Sequence, residues 1–183
     1  MDSAIKPAFR SKVTGQAVTV QLSKGDLVDP LKALEMGQEG DVIVVDAGGD
    51  LNTSVCGGLM GGLAQNRGIR GMIVDGAGRD TDELEEINWP IWTRAITPRG
   101  THTMFSERRE ELSINVPIAC GGVVVNPGDF IVADLMGVVV VPLESAEEVV
   151  RLAQEQADRE VATRAWVAQG KTVEDLLNEF GRI

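Results

Sequence analysis

The chain has no tyrosine, a single histidine (His102) and only two cysteines (Cys56 and Cys120) among its 183 residues. A structural zinc site needs four Cys/His ligands, and three scattered residues cannot supply them. Two cysteines cannot build a disulfide framework either; in a reducing compartment they are expected as buried thiols. His102 sits in the polar turn Thr101-His102-Thr103 with nothing marking a nucleophile beside it, so an exposed loop histidine is expected. Basic residues are also scarce: 17 Lys and Arg face 28 Asp and Glu, for a net charge of −11. That deficit argues against a nucleic-acid groove, which needs a basic face. No apolar run approaches the length of a membrane span, and no charged-then-apolar leader opens the chain. A cytoplasmic protein is therefore expected. Any catalytic metal would be held by oxygen, which favours Mg²⁺ or Mn²⁺.

What remains is ordinary globular material, 43% hydrophobic and 25% charged, at a length that fits one domain with a sizeable core. β-Branched content predicts a first strand over Thr14 to Leu22. Asp29-Pro30 reads as an N-cap and first helical position, with Gly37 closing the helix. The continuous apolar run Asp41 to Asp46 predicts a buried strand. A glycine-rich helix is expected over Gly57 to Arg67, a strand over Gly71 to Val74, a short acidic helix over Asp80 to Ile87 and a strand over Ile91 to Ile96. Val116 to Val125, Asp129 to Asp134 and Val138 to Val141 read as three strands separated by Asn126-Pro127-Gly128 and Met136-Gly137 turns. Ser145 is expected to cap a long helix to about Gln169, and Thr172 to Phe180 forms the last one. The sum is a single α/β domain, with a core over about 13–142 and a C-terminal helical extension over about 145–183.

Two glycine motifs carry little. Gln169-Gly170-Lys171-Thr172 lacks the first glycine and the preceding strand of a phosphate-binding loop. Val45-Asp46-Ala47-Gly48-Gly49-Asp50 lacks dinucleotide-loop spacing and reads as a plain turn.

The informative stretch runs from Gly68 to Asp80, where an apolar run ends in Asp75-Gly76-Ala77-Gly78 and delivers the pair Arg79-Asp80. An arginine beside a carboxylate can bind an anion with one residue and a hard cation with the next. Upstream, Gly57-Gly58-Leu59-Met60 is expected to open a helix whose free N–H groups favour a carboxylate or phosphate. Each feature also has a bland reading: the glycines as helix-packing residues, Asp80 as an N-cap, and Arg79 as its surface ion-pair partner.

Taken together, the segments from Gly15-Gln16-Ala17-Val18-Thr19-Val20 to Val138-Val139-Val140-Val141-Pro142 resemble the regulator of ribonuclease activity A family. That family includes the 4-hydroxy-4-methyl-2-oxoglutarate aldolases. The matching pieces are Gly40 to Asp46, Gly57 to Met60, Arg67-Gly68-Ile69-Arg70-Gly71 through Arg79-Asp80, and Asn126-Pro127-Gly128-Asp129 to Pro142. The resemblance implies an α/β/α sandwich related to swivelling phosphohistidine domains. It also implies a homotrimer or hexamer with sites between subunits.

The implied activity is a divalent-metal-dependent lyase that cleaves 4-hydroxy-2-oxo acids or decarboxylates oxaloacetate, releasing pyruvate. By the same resemblance, Asp80 would ligate Mg²⁺ or Mn²⁺, and Arg79 would contact the substrate's keto or carboxylate oxygen. The Gly57 to Met60 segment would bind substrate, with the Leu59 and Met60 amides receiving the pyruvyl carboxylate. Glu160, from the C-terminal helix of a neighbouring subunit, would hold metal-bound water. Family aldolases carry an acid where this chain has Gly58. Loss of an acid–base group of that kind costs about 10²–10⁴-fold, which implies impaired retro-aldol cleavage and less impaired decarboxylation. The competing expectation is a non-catalytic regulator that binds ribonuclease E or another protein through an acidic surface.

Overall fold

The β-branched runs of the sequence become the middle of a seven-stranded sheet. The structure is a computed structural model that describes residues 1–23, 26, 28–101 and 113–181. The expectation for His102 lies outside those residues. The strands are β1 (Lys6–Pro7), β2 (Val13–Gln21), β3 (Val42–Cys56), β4 (Gly71–Gly78), β5 (Ile91–Ile96), β8 (Phe130–Ala133) and β9 (Val138–Val141), with a separate hairpin β6 (Ile118–Cys120) and β7 (Val123–Val125). Four of them, β2, β3, β4 and β5, run parallel as neighbours; β8 and β9 add antiparallel beyond β2, and β1 adds antiparallel beyond β5. Val42, Ile43, Val44 and Val45 are fully buried, as a strand covered on both faces requires.

The two faces are covered differently. Val18, Val20, Ile43, Val45, Met72 and Val74 pack towards the helices α1 (Val28–Met36), α2 (Gly58–Asn66) and α3 (Thr81–Glu86), forming one apolar cluster with Ala33, Leu34, Ala64 and Leu84. The alternate residues Ala17, Val42, Val44, Ile73 and Trp92 pack with Ile118, Cys120, Val125, Ile131 and Val138, so strands and the hairpin cover the other face. The expected helix–sheet–helix sandwich is therefore met on one face only. Instead the sheet curls until its edges approach. Lys6 Nζ at the β1 edge donates to the Met136 carbonyl at 2.7 Å, Trp92 Nε1 donates to the Asp134 carbonyl at 2.8 Å, and the Met1 amino group donates to the Val138 carbonyl at 2.8 Å. The result is a mixed α/β architecture around a nearly closed, barrel-like sheet.

Several local expectations shift. The helix α1 begins at Val28, so Asp29, which is buried, and Pro30 lie within its first turn rather than at its boundary. The strand ending at Asp46 continues to Cys56. The presumed turn at Gly48 and Gly49 is an excursion inside β3, with both glycines at positive φ and the Gly48 N–H bonded to Asp46 at 2.8 Å. Val116 to Val125 divides into β6 and β7 around Gly121 and Gly122, both left-handed.

Residues Met1–Leu143 form one compact unit and Glu144–Ile183 a second. The second unit holds α4 (Ala146–Ala168) and α5 (Val173–Phe180). Ser145 makes no side-chain cap on α4; a short 3₁₀ turn, Leu143–Ser145, leads into it instead. Thr172 does cap α5, in a reciprocal box with Asp175. Within this unit, Trp166 meets Phe180 edge-on at 5.4 Å. No described helix is long and apolar enough to cross a membrane.

Candidate functional site

Two strand-to-helix junctions lie side by side because β3 and β4 are parallel neighbours whose ends are in register, Cys56 opposite Gly78. The chain leaves β3 at Gly57 into α2 and leaves β4 at Arg79-Asp80 into α3. The Arg79 N–H donates to the Cys56 carbonyl at 2.9 Å and locks the junctions together. Carboxyl ends of parallel strands are where α/β proteins place ligands.

Asp80 occupies the N-cap position of α3 with left-handed backbone (φ 51°, ψ 42°), yet its side chain makes no bond to its own helix. That conformation costs an L-residue roughly 1–2 kcal/mol and is least unfavourable for Asn and Asp. The carboxylate instead crosses to α2, where Oδ2 accepts the Gly58 N–H at 3.1 Å. Arg79 Nε lies 3.5 Å from the same oxygen, and both side chains remain partly exposed. Asp80 is thus no simple helix cap.

Gly57 is required by this crossing, since a Cβ there would overlap the Asp80 carboxylate. With no side chain on Gly57, and with the Gly58 N–H given to Asp80, the N–H groups of Leu59 and Met60 are the donors of the first turn of α2 that have no partner among the described residues. The Gly61 N–H already bonds back to the Gly57 carbonyl at 3.0 Å. A cleft of about 290 Å³ opens over this turn, lined by Gly57, Leu59, Met60, Arg79 and Thr101, with Leu31 and Leu63 as an apolar wall. Leu59, Met60 and Arg79 therefore line one cleft.

Glu83, which the sequence reading passed over, changes the meaning of Gly58. A Cβ built on Gly58 would overlap the Glu83 carboxylate, so that carboxylate lies where a side chain at position 58 would begin. A carboxylate therefore occupies that space, delivered from α3. The available signal was the spacing Asp80-x-x-Glu83, which puts both residues on one side of a helix start.

Cys56, immediately before Gly57, is buried, and burial pushes its thiol up to about 12; the Asp80 charge adds to this and Arg79 partly opposes it. A neutral thiol of this kind is no nucleophile at physiological pH. Cys120 is buried as well and pushed up to about 12, again chiefly by burial. Both cysteines are the buried thiols expected.

Among the described residues, no group of three or more His, Cys, Asp or Glu converges to cage a metal. Asp80 with Glu83 beside it is a sparse, all-oxygen donor set. It suits a hard ion that keeps most of its own waters, as Mg²⁺ does when bound through one or two carboxylates. Glu160 lies on α4 in the C-terminal unit, accepting from Gln156 at 3.2 Å and pairing with Arg164 at 3.5 Å.

The sequence model of the family described as RraA-like (Aldolase/RraA) matches residues 1–140. A Halalkalibacterium halodurans protein named "Putative 4-hydroxy-4-methyl-2-oxoglutarate aldolase" is 42% identical over 167 residues, covering 90% of this chain and 77% of that protein. The 4-hydroxy-4-methyl-2-oxoglutarate aldolase of Thermus thermophilus is 34% identical, covering 73% of this chain and 77% of its own. Among solved structures, the Streptomyces coelicolor protein described as an unusual member of the RNase ES inhibitor RraA protein family superposes with a TM-score of 0.73. It is 35% identical, covering 85% of this chain and 78% of that one.

Proposed function

The chain belongs to the RraA-like family, and on that premise we propose that it is a divalent-metal-dependent lyase of 2-oxo acids. Its reactions would be retro-aldol cleavage of 4-hydroxy-4-methyl-2-oxoglutarate-type substrates, decarboxylation of oxaloacetate, or both, with pyruvate as product. The observation that carries this reading is the Asp80 carboxylate turned away from its own helix and fixed on the Gly58 N–H, beside Arg79 and the Leu59 and Met60 amides. A residue that only capped α3 would not cross between helices.

In this mechanism, Leu59 and Met60 N–H groups receive the substrate carboxylate at the positive end of α2. Arg79 donates to the 2-keto oxygen, where negative charge develops as the C3–C4 bond breaks and its electrons pass into the enolate. Asp80 and Glu83 would hold Mg²⁺ or Mn²⁺ largely through water, and the ion would supply Lewis-acid polarisation of the keto group. Glu83 accepts the proton of the C4 hydroxyl during retro-aldol cleavage. Decarboxylation needs no such base, because the C4 carboxylate is already ionised and departs as CO₂ while the bond electrons pass into the enolate; in both reactions the enolate then takes up a proton at C3 to give pyruvate. In an assembly of three or six copies, Glu160 of a neighbouring copy would add a further acid.

The second reading is a protein-binding regulator, favoured by the Streptomyces relative's description and by the net charge of −11. A lactate-dehydrogenase-coupled assay of oxaloacetate and 4-hydroxy-2-oxo acids with Mg²⁺ or Mn²⁺ separates the two. Turnover abolished by chelation and by Asp80→Ala is expected. A rate no higher than the metal-only blank would leave the regulator reading.

A further inference from the structure

The opposite end of β4 carries a second polar hollow, of about 480 Å³, lined by Ser11, Lys12, Thr14, Arg70, Asn88 and Pro90, with Val13 at its base. Arg70 precedes β4 and Arg79 follows it, so the eight residues Gly71–Gly78 separate the two sites; at about 3.3 Å per residue that is roughly 25 Å. The hollow and the cleft over α2 are different places.

Two features of the hollow point to an anion. The first is uncommitted charge. In a chain with net charge −11, two cations, Lys12 and Arg70, line this one hollow, and neither makes an ion pair among the described residues. The second is prior ordering. Arg70 Nη1 donates to the Thr14 carbonyl at 2.9 Å, and its Nε edge lies along Gly40, where a Cβ would sit 3.9 Å away. The guanidinium is thereby anchored through one N–H while the side chain lines the hollow. Strand alternation places Lys12 and Thr14 on the exposed side, with Val13 buried between them. Cations, hydroxyls and the Asn88 amide thus surround a space of ligand size, and Pro90 gives an organic body something apolar to rest on.

We propose that this hollow binds a small phosphate-bearing anion, with Lys12 and Arg70 taking the charge. Two cations match a dianion, and the hydroxyl and amide donors around them suit an oxyanion that accepts from several directions. The site is independent of the lyase chemistry.

Calorimetric titration of the whole protein with pyrophosphate, in buffer free of divalent ions, tests this. Binding of one pyrophosphate per chain is expected, weakened at least about tenfold by Lys12→Ala/Arg70→Gln and weakened to a lesser extent by Lys12→Ala alone, which removes no internal bond. Arg79→Gln, at the far end of β4, should leave the titration unchanged. The far-UV circular dichroism spectrum should be the same in the Lys12 and Arg70 variants as in the parent, showing that they fold. Binding that ignores these two residues, or that is lost in Arg79→Gln, overturns the proposal. So does malonate binding as tightly as pyrophosphate, since the site would then not select phosphate.

Discussion

At the scale of single residues, the site turns on an exchange between positions 58 and 83. Glu83 reaches from α3 into the space that a side chain on Gly58 would fill. Glu83→Gln keeps the shape and removes the base, so kcat for retro-aldol cleavage should fall about 10²–10⁴-fold, with oxaloacetate decarboxylation less affected. Gly58→Asp alone should not raise activity, because the new side chain collides with Glu83. The double variant Gly58→Asp/Glu83→Ala should recover part of what Glu83→Ala loses. If Gly58→Asp is active by itself and Glu83→Gln is silent, the carboxylate comes from elsewhere. That Arg79-Asp80 and Gly57 to Met60 sit at strand-to-helix junctions was legible in the sequence, because strand ends and glycine-rich helix starts announce themselves. Glu83 was not, because its importance depends on which neighbouring helix its side chain enters. No pattern along one segment carries that information.

At the scale of elements, the close seating of α2 on α3 positions the whole cleft, and Gly61 permits it. A Cβ there would press on Leu84 Cδ2 and approach Trp89 Cε3 at 3.1 Å. Gly61→Ala should therefore destabilise the fold by about 1–3 kcal/mol through overpacking. It should also lower activity by moving the Leu59 and Met60 amides, whereas Gly62→Ala, which meets nothing, should do neither. Chemical denaturation and the pyruvate assay on the two variants check this. In the C-terminal unit, Asp175 accepts from the Thr172 N–H and hydroxyl, and those bonds hold its carboxyl below the usual carboxylate range. A depressed folded-state value means that the cap's stabilisation is present above the unfolded carboxyl's value and is lost as pH falls through the lowered one. NMR titration of the Asp175 carboxyl should show that low midpoint, and Thr172→Ala should raise it. Most elements followed from periodicity and turn residues. The failures were at boundaries set by partners. Glycines at 48 and 49 read as a turn, yet β3 continues past them because β4 still offers pairing at Gly76, Ala77 and Gly78. The two-residue β1 exists only because β5 has a free edge for it.

At the scale of the whole molecule, the curled sheet makes the N-terminal strand, β5 and the β8–β9 turn into one seam. Three hydrogen bonds from Met1, Lys6 and Trp92 cross it. Apolar alternation predicts strands but not closure, since closure depends on how far seven strands twist. The two fully or nearly buried tryptophans provide a matched test. Trp89 Nε1 donates to the Ile69 carbonyl at 2.7 Å within the helix-covered face, and Trp92 Nε1 donates to the Asp134 carbonyl at 2.8 Å across the seam. Trp→Phe at either position removes one such bond and leaves its carbonyl short of a partner, a loss of about 1–3 kcal/mol. The denaturation midpoints should therefore fall by similar amounts. The pattern of local opening should differ. In Trp92→Phe the amides of β8 and β9 should exchange faster, because the turn that joins them loses its hydrogen bond to β5. In Trp89→Phe the faster exchange should fall around Ile69 and the start of β4. Identical exchange maps for the two variants would mean that the seam bonds do not hold the sheet closed. In that case packing of Trp92 among Ile5, Ile73 and Ile131 would be sufficient for closure.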